Sequence, residues 1–546
     1  MDDQQFYSYV STRAGADPVK TVFLFVPNDQ AGTLASVEAF ARESGWLDQV
    51  ERDADVLVAP LAPRGWEAER SDLPLALYRA CRNDFKAPSG VSIPGRDGVV
   101  WTWEVMIQLV GYAQGATFAG NFQLAHPGFA AASVLVDGVP NDFSVADAPA
   151  DRWLVPNATG YDLANRDVPV AMWLMGGAAT EGTEAYLRDV SQLDGCRVTD
   201  DLGVTTTIRY NRRNPAQQLR LTPGVTGTDP RVAQLAMGEL FETVVRWKNS
   251  PSGTLTPHIS KRDFATDGTY RHHELSMGEN SYHYAVYLPK GMDEKDVRGL
   301  PLVVSVHGRG EPTWIFCQKN GWEDLADQTR EFVVMLPDSP FNLWVYDRDV
   351  QALLAVVRAT VGEYGLDAGR VYLTGFSNGA LFTNQIATSH PAAFAGASPW
   401  NSPGLRAARA SGLGSFEYDP RFMSAGVELP FWICAGDSDN KAPVPVETDL
   451  ISLIVANGCV GCAPRPLGTE HYAPERGFEQ GERFRTRVFR NGQGRPRICL
   501  TIMRNMPHGA IPDQARAAWN FLGRFRRGAD GALVEAPAAG EDAHGC

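Results

Sequence analysis

Residues 111–127 read GYAQGATFAGNFQLAHP, and residues 375–391 read GFSNGALFTNQIATSHP. The two stretches align without a gap, from the paired glycines through a shared Ala-x-Phe to a closing His-Pro. Each follows an apolar, β-branched run and opens a helix-compatible one. A chain that writes the same sharp strand-to-helix turn twice is built from a repeated unit, and that repeat decides the fold.

The flanking segments extend the match. Before the second turn, PLVVSVHGRG (301–310) reads as a strand ending in a glycine loop. A helix around GWEDLADQTR follows, then the strand FVVMLPDSP, the helix DVQALLAVVRATVGEYG and the strand RVYLTG. The first half runs in the same order: TVFLFVPN, LASVEAFARESG, VLVAPLAPRGW and EVMIQLVG. Further on, VPVAMWLMGG (168–177) pairs with LPFWICAGD (429–437), and AQLAMGELFETVVRW pairs with ARAAWNFLGRFRR. Strand and helix alternation of this kind predicts a mostly parallel sheet covered by helices on both faces, here twice over in an α/β chain. The Ser/Pro/Thr/Gly-rich stretch NSPSGTLTPHIS predicts a boundary, giving domains 1–250 and 251–528. YRHHELSMGENSYHYAVYLP (270–289) reads as an antiparallel hairpin opening the second domain. Residues 529–546, small and acidic, read as a disordered tail.

Composition narrows the function classes. The 546 residues exceed what one core usually holds, so two domains are expected. A formal charge of −14, with no Lys/Arg run and no zinc-finger spacing, argues against a nucleic-acid partner. No stretch approaches the roughly 18 apolar residues of a membrane span. MDDQQFYSYV carries no signal-peptide pattern, so the protein is expected either in the cytoplasm or, with a leader already removed, in the periplasm or outside the cell. Eight cysteines, including the lone pair in NGCVGC (457–462), lean toward export and structural disulfides. The sequence leaves the oligomeric state open.

GFSNG (375–379) is the chain's single G-x-S-x-G, and it has the context that motif requires, a strand before it and a helix after it. Ser377 is thus the candidate nucleophile. A hydroxyl nucleophile needs a base, and in the chain order serine, acid, histidine only His471, His508 and His544 come late enough. His508 lies in NMPHGA, between the apolar strand ICLTIM and the last helix, where the base loop of an α/β-hydrolase belongs. The acid belongs at the end of FWICAG, where Asp437 and Asp439 both stand. The oxyanion hole needs two backbone donors: the N–H of Asn378, next after the nucleophile, and one from the loop HGRG, where Arg309 is preferred over Gly310. His307 reads as a residue that shapes this loop. Arg309 and Trp344 are the candidate substrate contacts. No metal or organic cofactor is called for.

The second domain resembles the poly(3-hydroxybutyrate) depolymerases and related feruloyl and acetylxylan esterases, a branch of the α/β-hydrolases. The residues that carry this are PLVVSVHGRG, LPDSPFNLW, DAGRVYLTGFSNGA, GDSDNKAPV, the NGC at 457–459 and NMPHGA, over about 265–528. The resemblance implies a serine carboxylic-ester hydrolase acting on aromatic (feruloyl-type) or polymer-linked esters such as polyhydroxyalkanoate. It places the acid at Asp439, and it implies export and a disulfide at Cys459, with Cys499 as partner. Arg309 departs from the small residue or cysteine usual after His-Gly. A peptidase or amidase with the same triad, and a binding protein with vestigial activity, are the alternatives.

The first repeat has lost the matching chemistry. Ala113 stands at the nucleophile position, LTPGVTGTDP (221–230) has no histidine at the base position, and LMGGAATEG (174–182) has no aspartate at the acid position. Residues 1–250 read as a degenerate copy that keeps the core and not the reaction.

Overall fold

The computed structural model describes residues 5–88, 97–150, 163–247, 255–402, 427–442, 444–445, 450, 453–454, 456–459, 465–466, 484–504 and 506–535. It divides into two units, the first running to Ser260 and the second starting at Lys261. The boundary lies ten residues beyond 250 because Leu255–Pro257 is not linker: it pairs antiparallel with Val244–Arg246 inside the first unit.

In the first unit, β1 (Phe6–Val10), β2 (Pro18–Phe25), β3 (Val56–Pro60), β4 (Trp101–Tyr112), β5 (Ala132–Val136), β6 (Ala171–Met175), β7 (Gly195–Asp201), β8 (Val204–Tyr210) and β9 (Gln218–Thr222) form one sheet. Their spatial order is β1-β3-β2-β4-β5-β6-β9-β8-β7. The six central strands, β3 to β9 in that order, run parallel. Three of them, β3 (VLVAP), β5 (ASVLV) and β6 (AMWLM), are buried at every position, as expected of strands covered on both faces.

The second unit repeats that centre. After the strands Val244–Arg246 (β10) and Leu255–Pro257 (β11) come β12 (Tyr270–Met277) and β13 (Asn280–Tyr287), an antiparallel hairpin. Then follow β14 (Leu302–Val306), β15 (Val333–Pro337), β16 (Val371–Phe376), β17 (Gly396–Trp400), β18 (Phe431–Gly436), β19 (Arg465–Pro466), β20 (Phe484–Arg490) and β21 (Pro496–Met503). The order is β12-β13-β15-β14-β16-β17-β18-β21-β20-β19, with β15 to β21 parallel. Strand for strand, β3-β2-β4-β5-β6-β9 and β15-β14-β16-β17-β18-β21 have one topology.

Individual contacts repeat too. Gly45 and Gly321, both at positive φ, open the helices α1 (Trp46–Asp53) and α3 (Trp322–Thr329) against Pro230 and Pro512. Gly115, in α2 (Gln114–Ala125), and Gly379, in α4 (Asn378–Ser389), have no room for a Cβ. It would lie 2.4 Å from Phe25 O in one unit and 2.3 Å from His307 O in the other. Buried Arg246 donates to the carbonyls of Ala130 and Pro169, and Arg527 donates to those of Phe394, Pro391 and Glu428. The path from Pro230 to Arg246 is one residue longer than that from Pro512 to Arg527. A wide π-helical turn at Ala236–Phe241 absorbs the extra residue.

Two expectations are corrected here. No disulfide joins Cys459 to Cys499: each is a buried thiol, Cys459 donating to Asn457 O (3.5 Å) and Cys499 sitting in β21 between β18 and β20. Cys462 lies outside the described residues, as does His471. Residues 529–535 are ordered, against the expected disordered tail; 536–546 lie outside the described residues. Gly531 turns the chain back so that Leu533–Glu535 (β23) pairs with Phe525–Arg527 (β22), and Glu535 binds Arg497.

Candidate active site

The chemistry-bearing residues of the second unit gather at the C-terminal ends of its parallel strands. Ser377 follows β16 directly and caps α4 with φ 53°, ψ −115°, a conformation that costs an L-residue about 1–3 kcal/mol. Its N–H is held by Trp400 O (3.0 Å). The turn pushes the side chain off the sheet end, toward the loop after β21.

His508 stands on that loop. Its Nε2 is 2.8 Å from Ser377 Oγ, and its Nδ1 is 2.7 Å from Asp439 Oδ2. An ionised Asp439 can only accept, so Nδ1 carries the proton and the Nε2 lone pair faces the serine hydroxyl. Asp439, on the loop after β18, also accepts from Asn401 Nδ2 (2.8 Å) at Oδ2 and from the N–H groups of Lys441 (2.8 Å) and Ala442 (2.9 Å) at Oδ1. Burial opposes its charge, but the hydrogen bond and charge of His508, with Asn401 and Ala442, outweigh burial and hold the carboxyl below its ordinary range. Asp437 faces elsewhere, toward the Ser438 hydroxyl (2.9 Å).

The oxyanion side is built from two segments. Asn378 begins α4, where first-turn N–H groups have no partner within the helix. Its side chain is clamped to the Trp344 backbone, Oδ1 accepting from Trp344 N (2.8 Å) and Nδ2 donating to Trp344 O (3.2 Å). Facing it, Gly308–Glu311 forms a tight turn in which Glu311 N donates to Gly308 O (3.3 Å) and Gly310 has φ 74°. The Gly310 N–H is committed to Asn342 O (2.7 Å). His307 shapes the turn's entry. Its Nε2 accepts from Ser339 N (3.1 Å), so Nδ1 donates to Gly308 O (2.7 Å), and burial pushes its pKa down.

Trp344 is not brought to the surface where substrate would lie. It is 2% exposed, stacked on Phe382 at 4.8 Å, with Nε1 donating to His307 O (3.1 Å). Trp66 in the first unit is buried in the same way, donating to Val26 O (2.6 Å). The pair belongs to the repeated frame, which is why an aromatic residue after that strand is not a substrate contact. Arg309 is exposed at the tip of its turn. Asn401, which orients Asp439, carries no motif; its only signal is a polar residue ending the buried strand GASPW.

The first unit keeps the turn and fills the site otherwise. Ala113 has φ 50°, ψ −117°. At the end of β5, where the second unit has Asn401, Asp137 accepts from Gly177 N (3.4 Å) and Gly227 N (2.9 Å), tying together the loops after β6 and β9.

A serine on a strained strand-to-helix turn, hydrogen-bonded through histidine to an aspartate at the ends of parallel strands, is the arrangement of the α/β-hydrolases. Residues 282–402 match the family model described as Esterase PHB depolymerase. Curated relatives include feruloyl esterase B of Talaromyces stipitatus, 27% identical over 153 residues (26% of this chain, 41% of that protein). Acetylxylan esterase A of Aspergillus ficuum is 27% identical over 156 residues, 26% of this chain and 48% of that protein. The chain therefore spans less than half the length of these relatives. Among solved structures, acetyl xylan esterase from Aspergillus awamori matches at TM-score 0.35 and 17% identity, over 46% of this chain and 99% of that one. Among the described residues, no helix is long and apolar enough to cross a membrane.

Proposed function

We propose that the chain is a serine carboxylic-ester hydrolase whose reaction is carried by its second unit, with the first unit a non-catalytic copy. The observation that carries this is the continuous hydrogen-bonded path from Ser377 Oγ through His508 to Asp439, at 2.8 and 2.7 Å.

In the proposed cycle, Ser377 Oγ attacks the ester carbonyl carbon while His508 Nε2 takes its proton. Asp439 keeps the imidazole in the required tautomer and stabilises the imidazolium. The carbonyl oxygen becomes an oxyanion held by the N–H groups of Asn378 and Arg309. His508 returns the proton to the departing alkoxide, so an alcohol leaves and an acyl-serine remains. Water then attacks with the same base, releasing the acid and restoring Ser377. The names of the relatives support feruloyl-type or acetyl esters, and the family description supports a polyester; these are the substrate classes we propose.

The test is hydrolysis of p-nitrophenyl acetate, an aromatic feruloyl ester and a peptide amide by the full chain and by Ser377→Ala. Ester turnover that Ser377→Ala lowers by about 10³-fold or more supports the reading. Turnover unchanged by that substitution, or seen only with the amide, overturns it.

A further inference from the structure

A buried ion pair lies behind the nucleophile and has no part in the cycle above. Glu311 closes the oxyanion turn, and the ammonium of Lys319, just past the helical turn Thr313–Phe316, reaches back to Glu311 Oε1. The two side chains are only 9% and 5% exposed. Burying such a pair rarely stabilises a fold more than apolar residues of the same volume would, so stability is a poor reason for its presence.

Its contacts suggest a better one. Lys319 Nζ sits 4.5 Å from the ring centroid of Phe376, within cation–π range. Phe376 immediately precedes Ser377, and its ring packs against the His508 imidazole at 5.0 Å. The same ring presses on the oxyanion turn: a Cβ on Gly308 would lie 2.9 Å from Phe376 Cδ1 and 3.0 Å from Glu311 Oε2. One ring thus touches the base, the turn and the ammonium. In the first unit, which has no serine at its turn, the residue aligned with Lys319 is the exposed Glu43.

We propose that Lys319 and Glu311 are a positioning pair. They fix the Gly308–Glu311 turn and, through the Phe376 ring, the His508 imidazole, so that donor and base stay aimed at the carbonyl carbon above Ser377. The inference rests on the roles given to Ser377 and His508 under Proposed function.

The test uses the full chain and p-nitrophenyl acetate. Lys319→Met is expected to lower kcat about 10- to 100-fold, the range that a misplacement of about 1 Å produces, with KM changed by less than about threefold. Lys319→Arg keeps the charge and is expected to recover part of that loss. Glu311→Gln/Lys319→Met leaves no lone ion in the core; it is expected to melt close to the parent while keeping the kcat loss. That double variant decides the matter if Lys319→Met does not fold. A double variant with the parent's kcat overturns the pair's role, as does a loss carried wholly by KM. Activity surviving Ser377→Ala overturns the serine reading itself, so the two failures are distinguishable.

Discussion

Ala113 and Ser377 occupy one point in backbone space, φ 50°, ψ −117° against φ 53°, ψ −115°. The strained turn therefore does not exist for the hydroxyl alone. In both units it lets a glycine of the following helix approach the neighbouring strand end, and the strain persists where no nucleophile is present.

Restoring the hydroxyl in the first unit is expected to restore nothing. In a Ser377→Ala background, Ala113→Ser should give no ester turnover above the single variant and no labelling by a fluorophosphonate. The reason lies across the turn, where residues 221–230 hold no histidine and the Asp137 carboxylate is spent on Gly177 and Gly227. Covalent labelling at position 113 would contradict a non-catalytic first unit.

Asp439→Asn tests the tautomer. An amide at that position can donate to Nδ1, which turns the imidazole's proton toward Ser377 and removes the lone pair that should accept. The expected loss in kcat is about 10³- to 10⁴-fold with little change in KM. Asp437→Asn, whose carboxylate faces Ser438 instead, should leave kcat within about twofold, since substitutions away from the reacting groups change little.

The first unit should carry an acid-sensitive clasp. The Thr12 hydroxyl, with the Thr12 N–H and the Tyr9 hydroxyl, holds Glu51 on α1 down to about 2, against an ordinary 4.5, despite an opposing contribution from burial. A depressed carboxylate contributes stability that is present above its unfolded value and lost as pH falls through its folded one. Glu51→Gln should therefore melt below the parent at pH 7, and the gap should close between pH 4.5 and about 2. Melting curves across that range check it; a gap that stays constant refutes the assignment.

The repeat also predicts a stabilising change. Trp46 Nε1 donates to the Tyr112 hydroxyl (2.8 Å), whereas the aligned Trp322 Nε1 is buried with no acceptor and the residue aligned with Tyr112 is Phe376. Phe376→Tyr supplies the acceptor and should raise stability by about 1 kcal/mol, read as a higher thermal midpoint. A lowered midpoint would show that the hydroxyl does not reach Trp322.

The parallel sheets, the turn at Ser377 and the base loop at His508 were legible in the sequence because each leaves a local trace. Such traces are an apolar run, glycines at fixed spacing, or a histidine between strand and helix. Trp344 was legible as a position and misleading as a role, since an aromatic residue after a strand looks alike whether it faces substrate or core. The thiols of Cys459 and Cys499 misled in a similar way: a pairing implied by resemblance says nothing about whether each thiol is buried apart from the other, as Cys499 is in β21. Asn401 left only a polar residue after a buried strand, and the Glu311–Lys319 pair left no trace, because they matter through contacts with residues distant in the chain, such as Asp439 and Phe376.

Arg246 and Arg527 knot together the segments that lead into the strands, whereas Ser377, Asn401, Asp439 and His508 all stand where strands end. Foundations and workshop are thus on opposite floors of the second unit, so residues at the strand ends can change without loosening the foundations.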